Sequence, residues 1–320
     1  MNQGDFIEKR RGEWLWMEET VAMGRGAFAA RAPRFPSAYR RIVRDLNIAR
    51  TEDFDPYLID RLDRMVLEGH GRLYENRRLR WRRIPEFISG EFPAAVRGEK
   101  TLLLSFTAAF ILTAVLSALL VGRSPWIFAK WFSPGTASSL EAMYDPSSEH
   151  FLTPRDVNGD ADMFGFYIYN NVSIAFQTFA SGILLGFGSV LFLMYNAAFL
   201  GAAAAYLSGL GFEGTFFPFI SGHATVELLA FIFAGAAGWR LGMVLIRPPS
   251  RLTRREGLKS VGRRVLPLVY GAAFFLVLAA VIEAFWSSRP FPPAMKYAFG
   301  GLVFAAVTAY FLLAGRRRDA

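Results

Sequence analysis

Residues 163–212 read MFGFYIYNNVSIAFQTFASGILLGFGSVLFLMYNAAFLGAAAAYLSGLGF, 50 positions between Asp162 and Glu213 without one Asp, Glu, Lys or Arg. At 1.5 Å per residue this is on the order of 75 Å of helix. A bilayer's hydrocarbon core takes about 20 apolar residues. The stretch is too long for one span and suits two, predicted at about 165–194 and 197–215 with a hinge near Tyr195–Asn196. A rival reading keeps one span and makes the remainder a re-entrant hairpin, which needs protein or water over its backbone.

Working outward, 101–121 is a further bare run of 21 residues. Apolar segments at about 220–246, 265–286 and 294–313 bring the predicted count to six transmembrane helices. The composition agrees: 53% apolar, 15% aromatic and 31 Phe in 320 residues is too apolar for a disordered chain. There is no Cys, hence no disulfide framework. The predicted fold class is all-α, a polytopic α-helical membrane protein with an N-terminal soluble helical bundle.

That bundle is read over 1–84. Residues 1–100 hold 20 Lys+Arg and 16 Asp+Glu. The start, MNQGDFIEKRRGEW, has no apolar region before its charges, so no signal peptide is expected. Apolar residues recur at helical spacing. Phe6, Trp14, Met17, Val21 and Phe28 predict one long helix broken by Pro33 and Pro36. Tyr39, Ile42, Val43, Leu46 and Ile48 predict a second, and Leu58, Leu62, Met65, Val66 and Leu73 a third. Residues 85–100, PEFISGEFPAAVRGEK, form an amphipathic segment expected to lie in the interface plane. The membrane domain fills 101–320.

Lys and Arg near span ends set the orientation. The loop 247–264 has seven (Arg247, Arg251, Arg254, Arg255, Lys259, Arg263, Arg264) against one Glu, and the tail has Arg316, Arg317 and Arg318. The loop 122–162 has three against six acids. Six spans and the charge asymmetry agree on cytoplasmic termini, an outer 122–162 loop and location in the cell (inner) membrane. Trp126, Trp131 and Trp286 then fall at the outer interface and Trp239 near the inner one. The net +9 invites a nucleic-acid reading, with Arg78, Arg80, Arg82 and Arg83 around Trp81 as the patch. Beside a membrane such a cluster meets anionic headgroups instead, so lipid and no nucleic acid is the expected partner.

Ionisable groups inside a bilayer are costly, about 2.5–3.5 kcal/mol at mid-span, so they are the informative ones. His223 and Glu227, four apart, share a helix face. With the threading above they lie in the outer half of the fourth span. Glu283 lies in the outer half of the fifth, and Asn170 and Asn171 in that of the second. These five form the candidate polar cluster. Asn196, Gln177 and Arg240 are secondary candidates, Arg240 as part of an inward route or as a snorkelling side chain. One His and two Glu suit a divalent ion, although His-x-x-x-Glu is not the His-Glu-x-x-His motif. A proton relay and a purely structural network use the same residues; for His223 the structural role would be a helix cap. Gly182–Gly186 and Gly238–Gly242 permit close helix approach, within the chain or in a homo-oligomer. No nucleotide motif and no nucleophile–base pair occurs, and no cofactor is predicted.

The stretches FIEKRRGEWLWMEE, YRRIVRDLNIAR, NNVSIAFQTFASGILLGFGSVLFLMYNAAFLGA and SGHATVELLAFIFAGAAGWRLGMVLIRP, in that order, resemble the stage II sporulation protein M family of integral membrane proteins. The family usually reads Asn-Gly at Asn196–Ala197 and Pro-His-Gly at Gly222–His223–Ala224. The resemblance implies a membrane protein without established catalysis. In spore formers the family member anchors two peptidoglycan-remodelling enzymes. A scaffold for envelope enzymes outside, with a cytoplasmic partner inside, is therefore the first functional expectation. A transporter, channel or intramembrane metal- or proton-dependent enzyme using His223, Glu227 and Glu283 is the alternative.

Overall fold

A computed structural model describes residues 2–147, 157–249 and 252–315, with the side chains of all of these except 25, 26, 29, 74–82 and 157. Every regular element among the described residues is helical. The chain divides into two compact units, Met1–Glu86 and Phe87–Ala320.

The first unit holds α1 (Gln3–Ala22), α2 (Arg25–Arg31), α3 (Phe35–Thr51) and α4 (Pro56–Glu86). Phe6, Trp14 and Met17 of α1, Ile42 and Leu46 of α3, and Leu58, Leu62 and Met65 of α4 share one core. The expected single helix through Phe28 is corrected: it ends at Ala22, and Phe28 belongs to α2. Met23 takes an extended conformation and Gly24 starts α2. Arg72 of α4 donates to the Val21 and Met23 carbonyls at 2.7 and 2.8 Å. The break therefore comes where a guanidinium satisfies the last carbonyls of α1, upstream of the prolines. The side chains of Arg77, Arg78, Arg80 and Arg82 fall outside the described residues, as do Arg251 and Arg316–Arg318, while Arg83 is exposed.

Asp45 is wholly buried in this unit and accepts a 3.0 Å bond from the Trp14 indole, with Arg10 at 3.5 Å. Burial raises its pKa, opposed by Trp14 and then Arg10. The folded unit thus holds this proton more tightly than the unfolded chain. The stabilisation from Asp45 is full below the unfolded carboxyl pKa and falls as pH rises through the folded one. Asp45→Asn keeps an acceptor for Trp14 and removes the titration. We expect isolated 1–86 to melt cooperatively. The variant should then be destabilised more, relative to wild type, near about pH 4 than near about pH 7. Denaturant melts across pH check this; a difference that stays constant with pH contradicts the raised pKa.

In the second unit a π-helical turn, Phe87–Glu91, leads into α5 (Phe92–Gly98), then α6 (Lys100–Arg123), α7 (Trp126–Trp131), α8 (Pro134–Tyr144) and α9 (Val157–Ala180). After a 3₁₀ turn come α10 (Phe187–Gly209), α11 (Glu213–Ser221), α12 (Ala224–Ile246), α13 (Arg254–Ile282), a π turn at Glu283–Ser287, and α14 (Pro293–Leu313). Five helices among the described residues are long and apolar enough to cross a membrane: α6, α10, α12, the continuous Arg254–Ser287 and α14. α6 exposes Leu104, Ile111, Leu112, Leu116, Leu119 and Leu120. In water such a stripe would aggregate, whereas hydrocarbon solvates it at no cost. α9 is of similar length but carries Asn170, Asn171 and Gln177. It nevertheless runs the depth of the bundle. Its start meets Arg289 through Asp160, and the turn at its end meets Gly238 of α12 through Gly182.

The expected hinge at Tyr195–Asn196 is corrected to Ser181–Gly186, so the two helices are 157–180 and 187–209. Leu185 and Gly186 adopt positive φ of 55° and 86°. A Cβ on Gly182 would stand 2.4 Å from Gly238 O and one on Gly242 2.0 Å from Gly186 N, so neither position has room for a side chain. The two glycine pairs thus pack on each other within the chain. Asn196 needs no break: its amide donates 2.7 Å to Phe192 O in its own helix.

The segment expected along the interface is tied into the bundle. Phe92 is fully buried, its ring 5.5, 5.6 and 5.5 Å from those of Phe233, Phe275 and Phe311. The missing side chain of Gly271 makes the slot: a Cβ there would stand 1.9 Å from the Phe92 ring. Arg97 donates to Ala314 O at 2.6 Å and Tyr310 to Ile88 O at 2.5 Å.

Candidate functional site

His223 sits at the start of α12, in the short break after Gly222. It occupies the N-cap position, but its side chain makes no capping bond. Nδ1 instead lies 3.0 Å from Ser287 Oγ in the π turn after α13. Glu227 follows one turn later, at 3.8 Å from His223 Nε2. Its place in the first turn of α12 suits a carboxylate, because the helix dipole is positive there. Glu283 opens the π turn, which rotates it and Ser287 to face His223. One ligand-capable atom from each of His223, Glu227 and Glu283 lies within 4.8 Å of the others.

α9 closes a third side. The Asn171 amide lies beside Glu283, and Asn171 Oδ1 accepts 2.9 Å from the exposed Asn170. His223 and Asn171 are 4% and 3% exposed, while the Glu227 side chain is 19% exposed, so the described residues enclose most of the cluster and leave one carboxyl near the surface. Within it Asn171 Nδ2, Glu283 Oε2 and the nearby Trp286 Nε1 are enclosed and have no hydrogen-bond partner. An unpaired buried polar atom costs about 1–3 kcal/mol.

The cover is Tyr144, the last residue of α8, which packs on Phe216 and Phe219; Phe219 in turn meets the His223 ring edge-on at 5.6 Å. Burial first, then the nearby Glu283, Tyr167 and Glu227, push the Tyr144 phenol above its ordinary range. On the far side of Ser287, the buried Lys296 of α14 donates 2.8 Å to Ser287 O.

His223, Glu227, Glu283 and Asn171 therefore meet, with Asn170 attached at the rim. Three expected candidates lie elsewhere. Asn196 is satisfied within its own helix, and Gln177 is exposed. Arg240 bonds Glu99, which is 2% exposed, at 2.7 Å from Nε and 2.5 Å from Nη2; Arg264 adds a contact at 2.9 Å. Arg240 thus clamps α12 to the turn before α6. The sequence reading missed Tyr144, Ser287, Lys296 and Glu99. Lys296 carried a usable signal, a cation inside an apolar run. Ser287 and Tyr144 carried none, since hydroxyls are unremarkable at span ends.

Set between three helices, the cluster can hold a cation, share a proton or lock helices together. No curated protein and no solved structure matches the chain. Residues 4–75 match a family model described as domain of unknown function DUF8413. Residues 102–288, which include every residue of the cluster, match the model for stage II sporulation protein M. That match takes in more than half of the 320 residues and runs from the first span through the π turn, so the chain belongs to the stage II sporulation protein M family.

Proposed function

We propose that this integral membrane protein is a scaffold. The α7–α8 face engages a peptidoglycan-remodelling enzyme in the envelope, and the 1–86 unit engages a cytoplasmic partner. The cell membrane is its site, with six spans counting α9 and with both termini inside. The observation that carries the reading is the exposed apolar face of the two short helices. α7 and α8 carry exposed Trp126, Trp131 and Met143, residue types suited to protein contact.

The absence of cysteine makes the test direct. A single cysteine at exposed Ser139 of α8 should react with an impermeant thiol reagent from outside intact cells. One at exposed Ser260 of α13 should not. A photo-crosslinker attached at Ser139→Cys should then join the chain to a discrete peptidoglycan-remodelling protein. Labelling at Ser260 in place of Ser139 would overturn the orientation. Correct orientation without such an adduct would overturn the scaffold role.

A further inference from the structure

We propose that His223, Glu227 and Glu283 form a binding site for one divalent transition-metal ion of the Zn²⁺ or Mn²⁺ class, joining α12 to α13 at the outer end of the bundle. Ligand atoms around a tetrahedral ion with bonds of 2.0–2.2 Å stand about 3.4 Å apart. His223 Nε2 and Glu227 Oε2 are 3.8 Å apart, and all three donors fit within 4.8 Å. Small side-chain rotations close that gap.

With Nδ1–H donating to Ser287 Oγ, Nε2 is left with its lone pair toward the two carboxylates. This is the arrangement in which metal-bound histidines are held by an outer partner. Lys296 fixes Ser287 in turn through its backbone carbonyl.

Glu283 Oε2 and Asn171 Nδ2 are both enclosed with no well-formed hydrogen bond, and Asn171, 3% exposed, is the neutral neighbour of the Glu283 carboxyl. No cation of the chain stands between the two acids among the described contacts of the cluster. A divalent ion there relieves their mutual repulsion and fills the open valence together. One imidazole with two carboxylates is a mixed nitrogen–oxygen set, which suits Zn²⁺ or Mn²⁺ over the hard alkaline-earth ions and over thiolate-seeking ones.

The experiment uses the full chain in detergent and does not depend on the scaffold reading. Elemental analysis of protein from metal-replete cells should find one Zn or Mn per chain. Stripping with a chelator should lower the melting temperature, and Zn²⁺ or Mn²⁺ alone should restore it. Glu227→Gln and Glu283→Gln should lose the ion, while Glu213→Gln, exposed at the start of α11, should keep it. Ser287→Ala leaves all three ligands in place and should weaken Zn²⁺ binding by about 10–100-fold, an effect that a purely structural cluster would not show. Should the Gln variants not fold, Co²⁺ loaded into stripped wild type should give the intense visible absorption of a four-coordinate site. Wild type that holds no ion and melts at the same temperature with and without Zn²⁺ and Mn²⁺ overturns the proposal. So does Zn²⁺ held equally by wild type and both Gln variants.

Discussion

Gly242→Ala should leave the membrane unit unable to assemble. A Cβ at Gly242 would stand 2.0 Å from Gly186 N, 2.2 Å from Gly182 O and 2.4 Å from Gly186 Cα. All three are backbone atoms, so no rotamer change makes room. The turn they belong to is itself constrained. Gly186 N donates 2.7 Å to Gly182 O, and Leu185 and Gly186 already occupy the left-handed region. The remaining relief is to push α12 off the α9–α10 turn, which opens the centre of the core. Overpacking of ordinary cores costs about 1–3 kcal/mol where side chains can yield, and here they cannot. A loss of about 4 kcal/mol or more is expected, a large part of the 5–15 kcal/mol typical of a folded protein. Gly301→Ala, with nothing within 4 Å of the new methyl, is the matched control. Monodisperse yield and melting temperature in detergent decide it. If the two variants behave alike, the α12 contact is wrong.

Glu99→Ala has the next largest expected effect. The Glu99 carboxylate is buried while both its guanidinium partners reach it from half-exposed positions, with side-chain exposures of 43% for Arg240 and 63% for Arg264. Its loss sets two cations facing each other and unties the turn before α6 from α12 and α13. Breaking a fully buried pair costs about 3–5 kcal/mol. Water can reach the two arginines, so about 2–3 kcal/mol is expected here. A double-mutant cycle with Arg240→Ala should be strongly non-additive, because Arg240 without Glu99 has no acid to lose. Unfolding free energies that add to within about 0.5 kcal/mol would show the clamp to be incidental.

What the sequence made legible is what hydropathy and charge control. Bare runs placed α6, α12, α13 and α14, and the cost of burying ions singled out His223, Glu227 and Glu283. Depth alone brought Asn171 to them. Hydropathy is silent on where an uncharged run bends. The bend at Ser181–Gly186 depends on a backbone approach to α12, a contact between residues about 60 positions apart in sequence. Asn196 looked like a hinge because a polar amide in an apolar run seeks a partner, and the partner was its own helix. Glu99 was hidden by position. An acid beside a span end reads as solvated until Arg240 and Arg264, far downstream, are known to converge on it.

The slot around Phe92 also sets an order of biogenesis. Phe92 leaves the ribosome before any of the spans, yet its pocket is built from Phe233, Gly271, Phe275 and Phe311. Its neighbours Ile88 and Arg97 bond Tyr310 and Ala314, at the end of the last span. α12 and α13 build most of the slot, so α5 waits at the membrane surface until α13 is in place, and the bonds to Tyr310 and Ala314 close over it only when α14 arrives. A nascent chain stalled before α14 keeps a seated but unlocked phenylalanine, which distinguishes an unfinished bundle from a finished one.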